Sequence, residues 1–291
     1  MFERLRAGAR LRVQRAVAEV IHDSEIRARE EAQDRHDDLV ARLDTVETEL
    51  ARTLRTLAAA RGELAEAHAA VDDMRAEVLG VEYRERRDIT AAADRLATEQ
   101  TAAFVAEHMP TAERFANPRD ALEFALREVS VVGLALEFGV ASGATLDVVA
   151  QTLAPTLPVY GFDVFTGLPE TWRTGFEEGV FAQDEIPEIP GAGIVAGLFE
   201  ETLPDFLDEH PEPVAFLHLD ADLYSSTRTV LELVGPRLQT GSIVLMDEFF
   251  NFPGWQRHEF LAWSEFAEKT GVAFEYLGYA ADNEQVVVRI S

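Results

Sequence analysis

Carboxylates close the apolar runs of this sequence. Glu137 follows Val131 to Leu136, Asp163 ends Val159-Tyr160-Gly161-Phe162, Asp220-Ala221-Asp222 follows Ala215 to Leu219, and Asp247-Glu248 follows Gly241 to Met246. Open parallel sheets bind ligands at the carboxyl ends of their strands, so four such runs in series put acid where ligand chemistry takes place. Asp163 stands 26 residues after Glu137, where a βαβ unit places an acceptor for a ribose diol. Asp220, Asp247 and Glu248 would meet at the ends of two neighbouring strands. Three carboxylates repel one another there unless a hard, oxygen-preferring cation such as magnesium joins them. Asp222 either completes that site through water or takes a proton. The competing assignment for the Asp220-x-Asp222 pair is a cap on a helix starting near Ser225 or Ser226.

These residues need a strand, a turn and a helix to hold them, and the first unit is legible. The run ending at Glu137 leads into Gly139 and Gly143 and then into the helix-compatible stretch Ala144 to Leu153. Glycine permits a tight turn and close approach of a ligand, and the helix start presents unpaired N–H groups. A nucleotide-like ligand fits there, although a glycine in this turn is also common as a purely structural device. The spacing lacks Gly-x-Gly-x-x-Gly, which argues against a nicotinamide-dependent oxidoreductase. Val272 to Tyr279 and Gln285 to Ile290 alternate as a terminal hairpin, which argues the same way. His218, inside a strand between Leu217 and Leu219, is expected to face a helix and not the site. His258, early in a helix expected over Gln256 to Lys269, is a candidate general base, with an ordinary surface role as the alternative. Tyr224 and Trp255 pack either a substrate ring or the core. Thr174 to Gly193 is a long polar loop with five acids, read as a substrate lid or as a surface insertion.

Charge is unevenly spread. Residues 1–100 hold 17 basic and 22 acidic side chains and residues 101–291 hold 9 and 31, so the later part carries −22 of the net −27. Such a surface repels nucleic acid and attracts cations, which speaks against an RNA or DNA substrate. Cysteine is absent, so disulfides and thiolate metal sites are excluded. No apolar run reaches membrane-spanning length, and the opening residues lack the apolar core of a signal peptide, so the expected location is cytoplasmic.

The first hundred residues read as helix throughout. Residues 1–20 set Arg4, Arg6, Arg10, Arg12 and Arg15 against Phe2, Leu5, Leu11, Val17 and Val20. That is the solvated start of a helical arm or, as the alternative, a helix lying on an anionic membrane. From Leu43 to Val81 two series repeat every seven residues: Leu43, Leu50, Leu57, Leu64, Val71 and Val78, and three residues on, Val46, Thr53, Ala60, Ala67, Met74 and Val81. This a/d pattern predicts a coiled coil roughly 60 Å long that joins a second copy or docks a partner. Pro110 ends the helical composition, which predicts a helical region over residues 1–109 and a separate domain over residues 110–291.

The motifs Glu137-x-Gly139-x-x-x-Gly143, Gly161-Phe162-Asp163-x-Phe165-x-Gly167-Leu168-Pro169-Glu170, Gly197-Leu198-Phe199 to Leu203-Pro204, Leu219-Asp220-Ala221-Asp222-Leu223-Tyr224 and Asp247-Glu248 resemble those of class I S-adenosylmethionine (SAM)-dependent methyltransferases. Within that class they most resemble the macrocin O-methyltransferase family, over about Ala121 to Ile290. The resemblance implies an α/β fold with a Rossmann-like, doubly wound, seven-stranded sheet in the order 3-2-1-4-5-7-6, its last strand antiparallel. It implies a donor site formed by Glu137, Gly139, Ala141, Ser142, Gly143, Asp163, Val164, Leu198, Phe199 and Asp220. Leu203-Pro204 would start the helix after that site. Magnesium would be held by Asp220, Asp247 and Glu248, with Glu248 standing where Asp or Asn is more familiar. The acceptor, a hydroxyl of a sugar or another polyhydroxylated small molecule, would contact Asp222, Tyr224 and Trp172, and Asp220 or His258 would serve as base. A SAM-binding but catalytically silent scaffold working through its coiled coil is the alternative function.

Overall fold

The computed structural model describes residues 2–291, with side-chain surroundings from residue 8 onward. Met1 and the side chains of Phe2, Arg4, Leu5 and Arg6 in the amphipathic stretch lie outside the described residues. The chain divides into two compact units, residues 1–83 and residues 84–291. The first is helical: α1 (Phe2–Arg87) carries the heptad stretch as one uninterrupted helix. Its Leu43, Leu50, Leu57, Leu64, Val71 and Val78 are 49–61% exposed, and Val46 and Met74 of the second series are 60% and 65% exposed. The a/d seam is therefore an uncovered apolar stripe along the helix.

The division expected at 109/110 falls instead between Tyr83 and Arg84. α2 (Ile89–His108) starts at Asp88, whose carboxylate accepts from the Thr90 N–H at 2.8 Å, and it packs into the second unit. Ala97 and Thr101 are buried, and Phe104 meets Phe249, Trp255, Phe260 and Tyr276 edge-on or tilted at 5.4–6.1 Å between ring centroids. Burial of those aromatics outweighs the break at Pro110 in deciding which unit α2 joins.

The second unit is built on one sheet of eight strands: β1 (Glu113–Phe115), β2 (Leu134–Phe138), β3 (Val159–Asp163), β4 (Ala192–Ala196), β5 (Val214–Leu219), β6 (Leu238–Met246), β7 (Phe274–Ala280) and β8 (Val286–Ile290). Their order is β1-β7-β8-β6-β5-β2-β3-β4, all parallel except β8, which runs antiparallel to β6 and β7. Read from β4, the seven strands after β1 have the expected order. The expected count of seven is corrected to eight, because Glu113–Phe115 adds a parallel edge strand beside β7. A three-residue strand shows no alternation in sequence, and it forms here because the neighbouring Gly278 leaves room for the Phe115 ring.

Every residue of β2 and β5 is buried, as expected for central strands covered on both faces. α3 (Pro118–Glu128) and α4 (Ala144–Leu153) pack on one face. α2, α5 (Phe199–Glu209), α6 (Tyr224–Val234) and α7 (Glu259–Thr270) pack on the other. α5 begins at Phe199, so Pro204 lies inside the helix and does not start it. The strand order reverses direction between β2 and β5, which opens a crevice at their carboxyl ends.

Candidate active site

A cavity of about 790 Å³ occupies that crevice. Its donor side is shaped by the turn after β2. Gly139 has φ +96°, and an added Cβ would run into the Asp220 carbonyl oxygen, so only glycine lets the ends of β2 and β5 come this close. Ala141 in the same turn takes φ +43°. Asp163, at the end of β3, holds this conformation. One carboxylate oxygen accepts from the N–H groups of Val140 and Ala141 at 2.8 and 2.7 Å, and the other accepts from Phe165 N–H at 2.6 Å. A carboxylate offers about four lone-pair positions, so capacity remains for a ligand hydroxyl. Gly139, Ala141, Asp163, Val164, Leu198 and Phe199 all line the cavity.

Glu137, Ser142 and Gly143 do not line it. Gly143 (φ +81°) is the N-cap of α4, with the Ile189 side chain lying where a Cβ would project. Glu137 is fully buried under the turn: one oxygen accepts from Thr145 Oγ1 at 2.9 Å, and the other faces His218 Nδ1 at 2.9 Å. His218 does not line the cavity either, but its partners lie across strands and are not legible within one strand. Strand pairing sets it beside Glu137, and its Nε2 faces Asp247 Oδ1 at 3.4 Å. Burial alone would lower its pKa, but hydrogen bonds to Asp247 and Glu137 outweigh burial and raise it well above the ordinary value. Both ring nitrogens of His218 thus face a carboxylate oxygen. Asp247 in turn accepts from Gln285 Nε2 at 2.9 Å, so a buried hydrogen-bonded line runs from α4 across β2, β5 and β6 to the start of β8.

The acceptor side is acidic. Asp220, Asp222, Asp247 and Glu248 line the same cavity. Asp220 and Glu248 are pushed well above the usual carboxylate range, first by burial and then by neighbouring carboxylates. Asp222 is pushed up to about 7 by burial, with Asp247, Glu284 and Asp163 adding to the effect and Arg173 opposing it. Its φ of +57° is unusual for a residue with a side chain and sits at a ligand-facing turn. His218, Asp220 and Asp247 each bring one potential ligating atom within 4.8 Å of the others. Of these, the two carboxylates are the hard oxygen donors that a magnesium-like cation prefers, so the cation-binding capacity lies with Asp220 and Asp247. Glu248 is outside that cluster, but its Oε2 is buried without a hydrogen-bond partner, as an oxygen awaiting a cation would be. Its backbone N–H donates to Glu259 at 3.0 Å, another buried acid that no motif singled out.

The segment after β3 supplies the outer wall. Residues 165–183 are tied together by Leu168 N–H to Val180, Gly179 N–H to Leu168 and Gln183 N–H to Phe165. Trp172, Phe176 and Phe181 line the cavity from this wall. Arg173 pairs with Glu284 at 3.0 Å and lies 3.8 Å over the Trp172 ring and 4.4 Å over Phe252. Neither His258 nor Tyr224 lines the cavity. His258 lies beside Phe252, with its pKa lowered by burial and by Arg257 and Arg173, and Tyr224 donates its hydroxyl outward to Glu265 at 2.7 Å. The structure thus gives His258 no access to an acceptor in this cavity.

Residues 136–249 match the family model described as "Methyltransferase domain". The chain carries a methyltransferase domain. The matched stretch runs from β2 to just past β6 and holds the donor turn and the carboxylates of the cavity. Solved structures similar to this chain include CalS11, a calicheamicin methyltransferase, at 24% identity over 66% of this chain and 91% of that one, with a TM-score of 0.49. The O-methyltransferase NovP is 21% identical over 58% and 78%, with a TM-score of 0.46. MycE, a methyltransferase of the mycinamycin pathway in complex with Mg, SAH and mycinamycin VI, is 13% identical over 60% and 49%, with a TM-score of 0.40. No curated protein matches the chain at a significant level.

Proposed function

We propose that this methyltransferase transfers the methyl group of SAM to a hydroxyl of a sugar or another polyhydroxylated small molecule, assisted by a divalent cation. The observation that carries this is the shared cavity: the donor turn at Gly139 and Ala141 and the carboxylates of Asp220, Asp222 and Asp247 line one space. Methyl transfer breaks the donor C–S bond as the new C–O bond forms, and the acceptor hydroxyl must lose its proton. Asp222 is the group assigned to take it, because a carboxyl poised near 7 is ionised often enough to accept a proton and basic enough to hold it. Asp220 and Asp247, with the unpartnered oxygen of Glu248, would hold magnesium. The ion's chemistry there is to lower the pKa of a hydroxyl bound to it. Asp163 braces the donor turn, and the aromatic wall of Trp172 and Phe176 limits water.

We further propose that the uncovered stripe of α1 joins two copies of this chain. The heptad series is self-complementary, and its apolar side chains are about half exposed. No helix among the described residues is long and apolar enough to cross a membrane.

The test is full-length protein with methyl-labelled SAM and a panel of hydroxylated glycosides, with and without chelator. Label transfer to a hydroxyl that requires divalent cation supports the proposal. SAM binding without transfer to any hydroxylated acceptor would leave the chain as a SAM-binding scaffold.

A further inference from the structure

Of the seven histidines, His218 alone is fully buried, and the mechanism above gives it no contact with donor or acceptor. It is the penultimate residue of β5, between Leu217 and Leu219, where an apolar side chain would be the cheaper occupant. Replacing buried ion pairs with packed hydrophobic groups is often neutral or stabilising, so stability does not explain an imidazole here. Its geometry does. Nδ1 lies 2.9 Å from Glu137, whose other oxygen holds Thr145 in the first turn of α4, directly after the donor turn. Nε2 lies 3.4 Å from Asp247, whose second oxygen is held by Gln285. One rigid ring, fixed by the central strand, spans the acid behind the donor turn and the acid at the acceptor edge.

We propose that His218 is a positioning residue that sets both halves of the site at once, Glu137 through Nδ1 and Asp247 through Nε2. A five-membered ring keeps the two N–H directions at a fixed angle, so the donor turn and the acceptor carboxylates hold one spacing. Methyl transfer needs that spacing, because reacting atoms misplaced by about 1 Å cost on the order of a hundredfold in rate. The Asp247 half of the proposal rests on the cation reading above.

The two contacts separate by substitution, since the amide of Asn reaches the place of Nδ1 and the amide of Gln the place of Nε2. Calorimetry on the full chain would titrate S-adenosylhomocysteine (SAH) and, separately, Mn²⁺ into wild type, His218→Asn and His218→Gln. His218→Asn is expected to keep SAH affinity within twofold and weaken Mn²⁺ at least tenfold. His218→Gln is expected to do the reverse, weakening SAH at least fivefold. A merely structural role would lower the melting temperature of both variants and shift both affinities together, and that pattern overturns the proposal. If wild type binds no Mn²⁺, the cation reading fails by itself, and equal SAH affinities in the two variants then overturn the positioning role. Should neither variant fold, ¹⁵N-histidine-labelled wild type decides. One imidazole whose two ring nitrogens both show hydrogen-bonded shifts is expected, and a buried imidazole with a free ring nitrogen overturns the assignment.

Discussion

Asp222→Asn separates the cost of the proposed base from its use. Burial holds the Asp222 carboxyl at about 7, against an ordinary value near 4. The folded state keeps this proton to a higher pH than the unfolded chain does. Its contribution to stability is therefore fully present below about pH 4 and lost as pH rises through 7. Between pH 5 and pH 8 that loss is about 3 kcal/mol at 1.36 kcal/mol per pH unit. Asn does not titrate, and it tolerates the left-handed backbone at this position (φ +57°) better than most residues, so the variant avoids the loss without new strain. In chelator, Asp222→Asn should melt higher than wild type at pH 8 by roughly 6–12 °C more than at pH 5, taking about 2–4 °C per kcal/mol for a unit of this size. It should also lose methyl transfer by at least a hundredfold, the contribution typical of a general base. Thermal unfolding at both pH values and SAH release in the activity assay read the two effects. The same melting difference at pH 5 and pH 8, or near-wild-type transfer, would refute the assignment of Asp222.

Three further outcomes are expected. Chelation should abolish transfer and leave SAH affinity within about twofold, because the donor turn and the carboxylates that would hold the cation lie on different strands; Asp247→Asn should reproduce this, and calorimetry with and without EDTA checks it. Asp163→Ala removes the acceptor of three backbone N–H groups and should weaken SAH binding more than tenfold, with unchanged affinity showing that the donor turn holds itself. A fragment covering residues 84–291 should bind SAH as a monomer while the full chain self-associates, whereas one starting at Thr111 uncovers Phe249 and Trp255 and should melt lower; light scattering and melting curves distinguish these cases.

The carboxylates of the crevice were legible in the residues alone, and the strand order in the family resemblance of their motifs. β3, β5 and β6 each end or are followed at once by acid, and a parallel sheet sends such ends to one edge, so Asp163, Asp220, Asp222, Asp247 and Glu248 reach one cavity as their positions imply. Heptad spacing likewise marked α1, since helical periodicity needs no tertiary contact to be seen. What tertiary structure decided was pairing across elements. Strand register placed His218 between Glu137 and Asp247, which alternation within one strand does not reveal, because both faces of β5 are buried and alternation carries no signal there. The same limit hid the membership of α2, settled by the Phe104 aromatics, and the eighth strand, whose three residues form no pattern until Gly278 makes room beside them. His258 and Tyr224 fail to line the cavity for a related reason. Closeness in sequence to a catalytic edge does not set the direction of a side chain, and α6 and α7 turn these two toward Glu265 and Phe252.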